Sequence, residues 1–218
     1  MNKIYRINIG CGRSPTEGWL NMDNSVSLKL AALPWLMALA QRLRLLVPAQ
    51  VENLAYNRKY RIVFCDARKR IPVPDKSADV VYTSHMVEHL DREEAAQFFR
   101  EARRVLCPGG TLRIAVPNLR RHVDNYLNSG DADELMKATN LGRRLPKSLL
   151  ERIKVFFLGE RQFHVFMYDP LSLSRFLEAE GFTSVTPLPA GETRILSPGA
   201  LDLSERSPES LFVEGLNP

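Results

Sequence analysis

Apolar and polar residues alternate along this chain with two periods, and the switches between them mark out a succession of strands and helices. Tyr5 to Ile9 reads as a first strand, and Trp19 to Met22 as a short second one ending at Asp23. Leu28 to Val47 sets Leu36, Leu39, Leu43 and Leu46 at helical spacing, with Pro34 near the helix start or at a kink. Arg61 to Cys65 predicts a third strand ending at Asp66. Ala78 to Thr83 predicts a fourth, introduced by the turn-forming Pro72-Val73-Pro74-Asp75. Asp91 with Glu94 forms a capping pair for a helix whose one face carries Ala95, Phe98, Phe99, Ala102, Val105 and Leu106, and which stops at Pro108-Gly109-Gly110. Thr111 to Val116 is a fifth strand. From Leu119 to about Arg161 the pattern turns helical, polar and irregular, with Gly130 and Gly142 as breaks, and reads as an insertion. Asp169-Pro170 then opens a helix bearing Leu173, Phe176 and Leu177, which Gly181 ends. Phe182 to Val185 and Leu211 to Val213 are the last two strands, separated by a Pro-, Gly- and Ser-rich loop from Pro187 to Pro208. Such alternation predicts an α/β fold with a largely parallel sheet and helices on its faces.

A length of 218 residues with 44% hydrophobic content suits one substantial core, so residues 1–218 are expected to be a single domain carrying a helical insertion at about 119–161. The net charge of +5 admits an anionic substrate, a nucleic acid or an acidic membrane surface. Nucleic acid lacks a recognised motif or an aromatic platform here. Cys11, Cys65 and Cys107 are far apart with no Cys-x-x-Cys, which argues against a disulfide framework or a thiolate metal site and fits a reducing cytoplasm. No apolar h-region follows the start, so no signal peptide is expected. The longest charge-free apolar stretch, Leu30 to Ala40, is too short for a bilayer span of about 20 residues. The Leu28 to Val47 segment reads first as a helix packed on the sheet. Arg42 and Arg44 give it a second reading as an interfacial membrane helix, and hence a peripheral membrane contact.

Gly10-Cys11-Gly12, directly after the first strand, has the form of a ligand-binding turn. A dinucleotide fold would need a third glycine and an acidic residue about 20 positions on. Pro15 stands in the glycine's place and Asp23 comes too soon, so the nicotinamide and flavin readings weaken. A phosphate-binding P-loop fails for want of Gly-Lys-Ser/Thr.

The series Gly10-Cys11-Gly12, Asp23, Cys65-Asp66-Ala67, Ser77-Ala78-Asp79-Val80-Val81-Tyr82 and Arg104-Val105-Leu106-Cys107-Pro108-Gly109-Gly110 resembles, in order and spacing, the class I S-adenosylmethionine-dependent methyltransferases of the type 11-like kind. Within them, Gly18-Trp19-Leu20-Asn21 and the lack of a first helix resemble a small bacterial subgroup often associated with sugar or polysaccharide assembly. The resemblance covers Tyr5 to Asn118, and more weakly His164 to Val185 and Ser210 to Glu214. It implies a Rossmann-like, seven-stranded, mostly parallel sheet with an antiparallel last strand and helices on both faces. By the same resemblance, S-adenosylmethionine is the cofactor. Gly10, Cys11 and Gly12 would pass under its methionine and ribose, Asp23 would take the ribose hydroxyls, Asp66 and the Ala67 backbone the adenine, and Ser84 and His85 would border the methyl group. Asp23 as a helix cap, and Asp66 as a turn residue paired with Arg68 or Lys69, are the plain structural alternatives.

His85-Met86-Val87-Glu88-His89 also matches His-x-x-Glu-His, in which two histidines bind zinc and the glutamate serves as base. A zinc hydrolase would need a third protein ligand and a helix long enough for both histidines. The five residues instead sit between a strand and the capped start at Asp91, so no metal is expected. In the methyltransferase reading, His85 lies against the cofactor while Glu88 or His89 faces the acceptor, and His164 is a further candidate. Each of them could equally serve only to fix a loop.

The expected reaction is methyl transfer to oxygen of a small or glycan-like acceptor. A non-catalytic protein that binds S-adenosylmethionine for assembly is the alternative. Arg143, Arg144, Lys147, Arg152, Lys154 and Arg161 outweigh Glu151 and Glu160 in the insertion, and Arg58, Lys59, Arg61, Arg68, Lys69 and Arg70 form a second basic cluster. Either could attract phosphate, a nucleotide sugar or an anionic lipid-linked glycan; most of these side chains also suit a plain solvated surface.

Overall fold

The computed structural model describes residues 4–25, 28, 35, 42, 48–141 and 164–218. Strands β1 (Tyr5–Ile9), β2 (Leu20–Asp23), β3 (Val63–Phe64), β4 (Ala78–Ser84), β5 (Leu106–Pro117), β6 (Thr183–Leu188) and β7 (Ser210–Leu216) form one seven-stranded sheet, ordered β3-β2-β1-β4-β5-β7-β6. The first five strands pair in parallel, while β7 runs antiparallel to both β5 and β6, as expected. The described helices are α1 (Pro48–Lys59), α2 (Arg92–Val105), α3 (Leu119–Ser129), α4 (Ala132–Ala138) and α5 (Pro170–Ala179). Asp91 caps α2 in a full capping box with Glu94, and Gly130 ends α3 in the left-handed conformation.

Several boundaries differ from the sequence reading. The third strand shrinks to two residues because Arg61, at φ 51, and Ile62, bonded to Asn57, still belong to the turn ending α1. The fifth strand starts five residues earlier, with Leu106 already paired to Ala78 and Pro108-Gly109-Gly110 lying in a register irregularity before Thr111 pairs with Val80. The sixth runs on to Leu188, and Pro187 is tolerated because β6 is an edge strand. The polar segment Pro48–Lys59, which carries no clear apolar stripe, is a helix that hydrophobic spacing missed. The predicted Leu28 to Val47 helix lies outside the described residues except for Leu28, Trp35 and Arg42, each helical. Of the insertion, α3 and α4 are described; Gly142 and the basic residues from Arg143 to Arg161 lie outside. Among the described residues no helix is long and apolar enough to cross a membrane.

Successive residues of a strand face opposite sides, so register partners define rows across the sheet. One row is Met22, Ile9, Thr83, Ile114 and Val213, apolar but for its threonine. Its face is covered by helices: Phe98, Phe99, Ala102 and Val105 of α2 join Leu173, Phe176 and Leu177 of α5 in one core, with Phe99 and Phe176 edge to face at 5.0 Å. The next row, on the other face, is Asn21, Asn8, Tyr82, Arg113, Glu214 and Thr186. Every member of it carries a polar group. Around β4 this face is covered by two loops, with Trp19 from the β1–β2 connection and Ile195, Leu201 and Leu203 from the β6–β7 connection packing on Val80 and Tyr82.

The polar row has a physical reason. A helix satisfies its own backbone groups, whereas a loop laid on a sheet brings carbonyls and amides that need partners. Asn8 donates to Ser14 O and Thr16 Oγ1, and Asn21 donates to Thr16 O and Trp19 O while accepting from Thr16 N. Arg113 donates to Glu192 O and Leu203 O and pairs with Glu214 at 2.7 Å, both side chains fully buried. Tyr82 donates to Glu205, and Glu214 accepts from Thr193 Oγ1 and Arg194 N. The β1–β2 connection, Gly10 to Trp19, contains no helix, as the sequence implied. Asn8 and Asn21 hold it in shape instead.

Candidate active site

The parallel strands β1, β2 and β4 all end on the same edge of the sheet, the edge where open α/β folds bind ligands. Gly10 and Gly12 follow β1 with φ of 69° and 48°, in the left-handed region that glycine adopts without strain. Their roles differ. A Cβ on Gly10 would sit 2.8 Å from Met86 Cγ, so Gly10 is small because the turn after β4 presses on it. A Cβ on Gly12 would meet nothing within 4 Å, so its backbone borders open space. The amides of Gly10 and Cys11 both donate to Met22 O, and Gly12 N donates to Asp23 Oδ2 at 3.1 Å. Ser25 N donates to the other oxygen, Asp23 Oδ1, at 2.8 Å. Asp23 therefore shapes the glycine turn and keeps lone pairs for a ligand's hydroxyls.

Cys11 is buried under this turn, and burial first, then the nearby Asp23 charge, push its thiol up to about 12. It is a packing thiol, not a nucleophile. Asp66 follows β3 and is held by Arg68 through two hydrogen bonds, of 2.7 and 2.8 Å. Those bonds lower its pKa against the opposing effect of burial. Arg68 also pairs with Glu94, which ties this loop to the start of α2. The expected ion pair of Asp66 is present, each oxygen retains a further acceptor site, and the buried Ala67 lies beside it.

The four proposed catalytic side chains come together. Ser84 ends β4. His85 then takes φ 49°, a strained left-handed conformation for a residue with a side chain, while its amide donates to Ala115 O. A single 3-10 turn, Val87–His89, follows. Glu88 O accepts from Val165 N and Phe166 N, at 2.7 and 3.1 Å, and this clamp brings His164 to the turn from 75 residues away. The rings of His89 and His164 lie 5.4 Å apart. Glu88 is 1% exposed, with Oε1 at 3.3 Å from His85 Nδ1 and 3.9 Å from His89 Nε2. His164 is kept below the ordinary histidine pKa, chiefly by burial and against the pull of Glu88.

Sequence reasoning missed four contributors. Ser210 sits 2.9 Å from His85 Nε2. Its hydroxyl also donates to the backbone, at Glu205 O or Arg206 O, so it accepts from His85 Nε2–H and directs Nδ1 toward Glu88. Asn140 approaches His164 Nε2 at 3.4 Å. Met86 packs on Gly10, and Thr83 Oγ1 is buried without a partner near that glycine. Nothing in their local sequence marks them, because each acts across a long separation.

The arrangement fits a polar, hydroxyl-bearing nucleoside ligand: an open glycine backbone, a carboxylate at the end of β2, and the orphaned Thr83 hydroxyl beside the turn. Strand order and site together define a Rossmann-like α/β protein with a ligand site at the C-terminal edge of its sheet. Residues 8–114 match the family described as methyltransferase domain. A probable S-adenosylmethionine-dependent methyltransferase of Mycolicibacterium smegmatis is 46% identical over 48 residues, 22% of this chain and 18% of that protein's length. The chain thus spans less than a fifth of this curated relative. Two solved structures share the fold. A chain in the complex of the Haloferax volcanii Trm112 methyltransferase activator with a methyltransferase has TM-score 0.52 at 14% identity, covering 100% of this chain and 84% of that one. An S-adenosylmethionine-dependent methyltransferase of Thermotoga maritima has TM-score 0.51 at 16% identity, with coverage of 100% and 84%. This chain is thus similar to S-adenosylmethionine-dependent methyltransferases over residues 8–114, just under half of its length.

Proposed function

We propose that this chain transfers a methyl group to an oxygen of a small or glycan-related acceptor. The observation that carries the reading is the convergence of His85, Glu88, His89 and His164 on a turn that packs, through Met86, against the glycine turn. S-adenosylmethionine supplies a methyl group already activated for transfer, so the protein has to bind, orient and exclude water. Gly12 and Asp23 receive the nucleoside, and Asp66 with Ala67 borders the adenine. The histidine and glutamate cluster receives the proton that an acceptor hydroxyl gives up as its oxygen attacks. Orientation alone can contribute about 7–11 kcal/mol, which limits how much of the rate the proton acceptor must supply.

An anionic, glycan-type acceptor is supported by Arg58, Lys59, Arg61, Lys69 and Arg70, which stay exposed near α1 and β3. Arg68 is withdrawn from that cluster by Asp66 and Glu94. The reading extends to an intracellular protein of polysaccharide assembly that works at or near a membrane surface. Calorimetry with S-adenosylhomocysteine tests the core of the proposal: wild-type protein is expected to bind with a dissociation constant on the order of micromolar. Asp23→Asn removes a charged acceptor and is expected to bind about 10- to 100-fold more weakly. No binding by the wild type overturns the proposal, and binding without any release of S-adenosylhomocysteine in the presence of acceptors favours the assembly alternative.

A further inference from the structure

We propose that Glu88, His89 and His164 form a binding site for a divalent first-row transition-metal ion. One ligand atom from each residue lies within 4.8 Å of the other two. Ligands held at about 2.0–2.2 Å from one ion lie ~3–4 Å apart, so small side-chain rotations close the site. The His-x-x-Glu-His motif would hold a metal on His85 and His89, whereas the fold groups His89 with Glu88 and His164 and leaves His85 outside the set.

Glu88 is the residue that points to a cation. It is 1% exposed, and both of its carboxylate oxygens are buried without a hydrogen bond. A buried carboxylate with no donors is unfavourable by several kcal/mol in general, and a bound cation removes that penalty. His85 Nδ1 approaches Oε1 at 3.3 Å from one side, outside hydrogen-bond geometry, and leaves Oε2 without a donor. The surrounding contacts hold the ligands in place. Val165 N and Phe166 N fix the carbonyl of Glu88, and Asn140 meets His164 Nε2, which leaves the buried Nδ1 for the ion.

Donor chemistry sets the ion class. Magnesium and calcium take oxygen ligands, whereas two imidazoles and one carboxylate suit zinc, cobalt, iron or manganese. Three protein ligands leave positions open for an exogenous oxygen; a hydroxyl bound there loses its proton more readily, and His85, outside the ligand set, is the member of the cluster left to receive it. This catalytic role rests on the methyl-transfer reading above, while the binding itself does not.

The test uses the full chain, stripped with chelator and titrated separately with Zn²⁺ and Co²⁺ by calorimetry, with the visible absorption of Co²⁺ as a second readout. One ion per chain is expected. Glu88→Gln and His164→Gln are expected to bind at least about tenfold more weakly, since even outer-shell changes at metal sites reach that size. His122→Gln, a buried histidine outside the cluster, is expected to keep wild-type affinity. Thermal melts check that each variant folds, and His89→Gln, at a more exposed position, gives the same readout if His164→Gln does not. Absence of uptake by the wild type, or unchanged affinity in the folded cluster variants, overturns the inference. S-adenosylhomocysteine binding by the metal-free wild type separates the two proposals: its loss with metal uptake intact removes only the methyl-transfer reading, and the reverse removes only the metal site.

Discussion

The two faces of this sheet solve the same covering problem with opposite chemistry. On the helix face, Ile9, Ile114 and Val213 meet α2 and α5, and burial of apolar area does the stabilising. On the loop face, Asn8, Asn21, Tyr82, Arg113 and Glu214 meet the two connections that lie on them, and directed hydrogen bonds do it. The difference teaches why this chain can lack a helix after β1. What a helix would satisfy within itself, the sheet satisfies through side chains, with Asn8 and Asn21 holding Ser14 to Trp19 while Met22 O and Asp23 hold the glycine turn.

The largest expected effect falls on the buried pair of the polar row. Arg113→Met leaves Glu214 buried without its main cation and strips donors from Glu192 O and Leu203 O, and is expected to cost about 3–5 kcal/mol. The double variant Arg113→Met/Glu214→Leu removes the unpaired charge but not the loop's need for donors. It is therefore expected to recover only part of the loss. Urea unfolding measures both, and limited proteolysis in residues 189–209 reports whether the loop has come away. Full recovery by the double variant would break the comparison, because the row would then be replaceable by apolar packing.

A conservative change in the apolar row gives the contrast. Ile114→Val removes one methylene from the helix face and is expected to cost about 1 kcal/mol, with the 189–209 loop no more open to protease than in the wild type. If this substitution loosened the loop as much as Arg113→Met does, the two faces would not be separate supports.

The apolar face was legible in the sequence and the polar one was not. Phe98, Phe99 and Ala102 repeat at helical spacing, and Asp91 with Glu94 announces the start of α2, so local pattern was enough. Arg113 lay inside the expected strand Thr111 to Val116, but Glu214 fell just beyond the expected Leu211 to Val213, so the sequence reading did not single out the pair. Their pairing depends on β7 lying beside β5, which no local pattern encodes. The same holds at the candidate site. Gly10, Gly12, Asp23 and Asp66 could be found from their positions after strands, whereas Ser210 and Asn140 reach the cluster only through the tertiary fold.

The smallest expected effect sharpens the comparison by placing an ion pair where solvent can reach it. Asp66 and Arg68 form a two-bond pair where Arg113 and Glu214 share a single bond, but their side chains are 14% and 19% exposed, against full burial for Arg113 and Glu214. The pair is therefore expected to contribute about 0.5 kcal/mol at neutral pH, in the range of partly solvated pairs. Hydrogen bonds from Arg68 lower the Asp66 pKa in the folded chain below the value of about 3.9 expected when unfolded. Between those two values the unfolded chain binds more protons, so stability rises with pH there. The contribution is complete above the unfolded value and is lost as pH falls through the folded one. Asp66→Asn should accordingly be less stable than wild type at pH 7 and converge with it in strong acid, measured as the difference in urea midpoint across that range. A difference independent of pH would mean that Asp66 acts through packing of its loop, and that charge pairing at this edge differs in kind from the pairing beneath the β6–β7 loop.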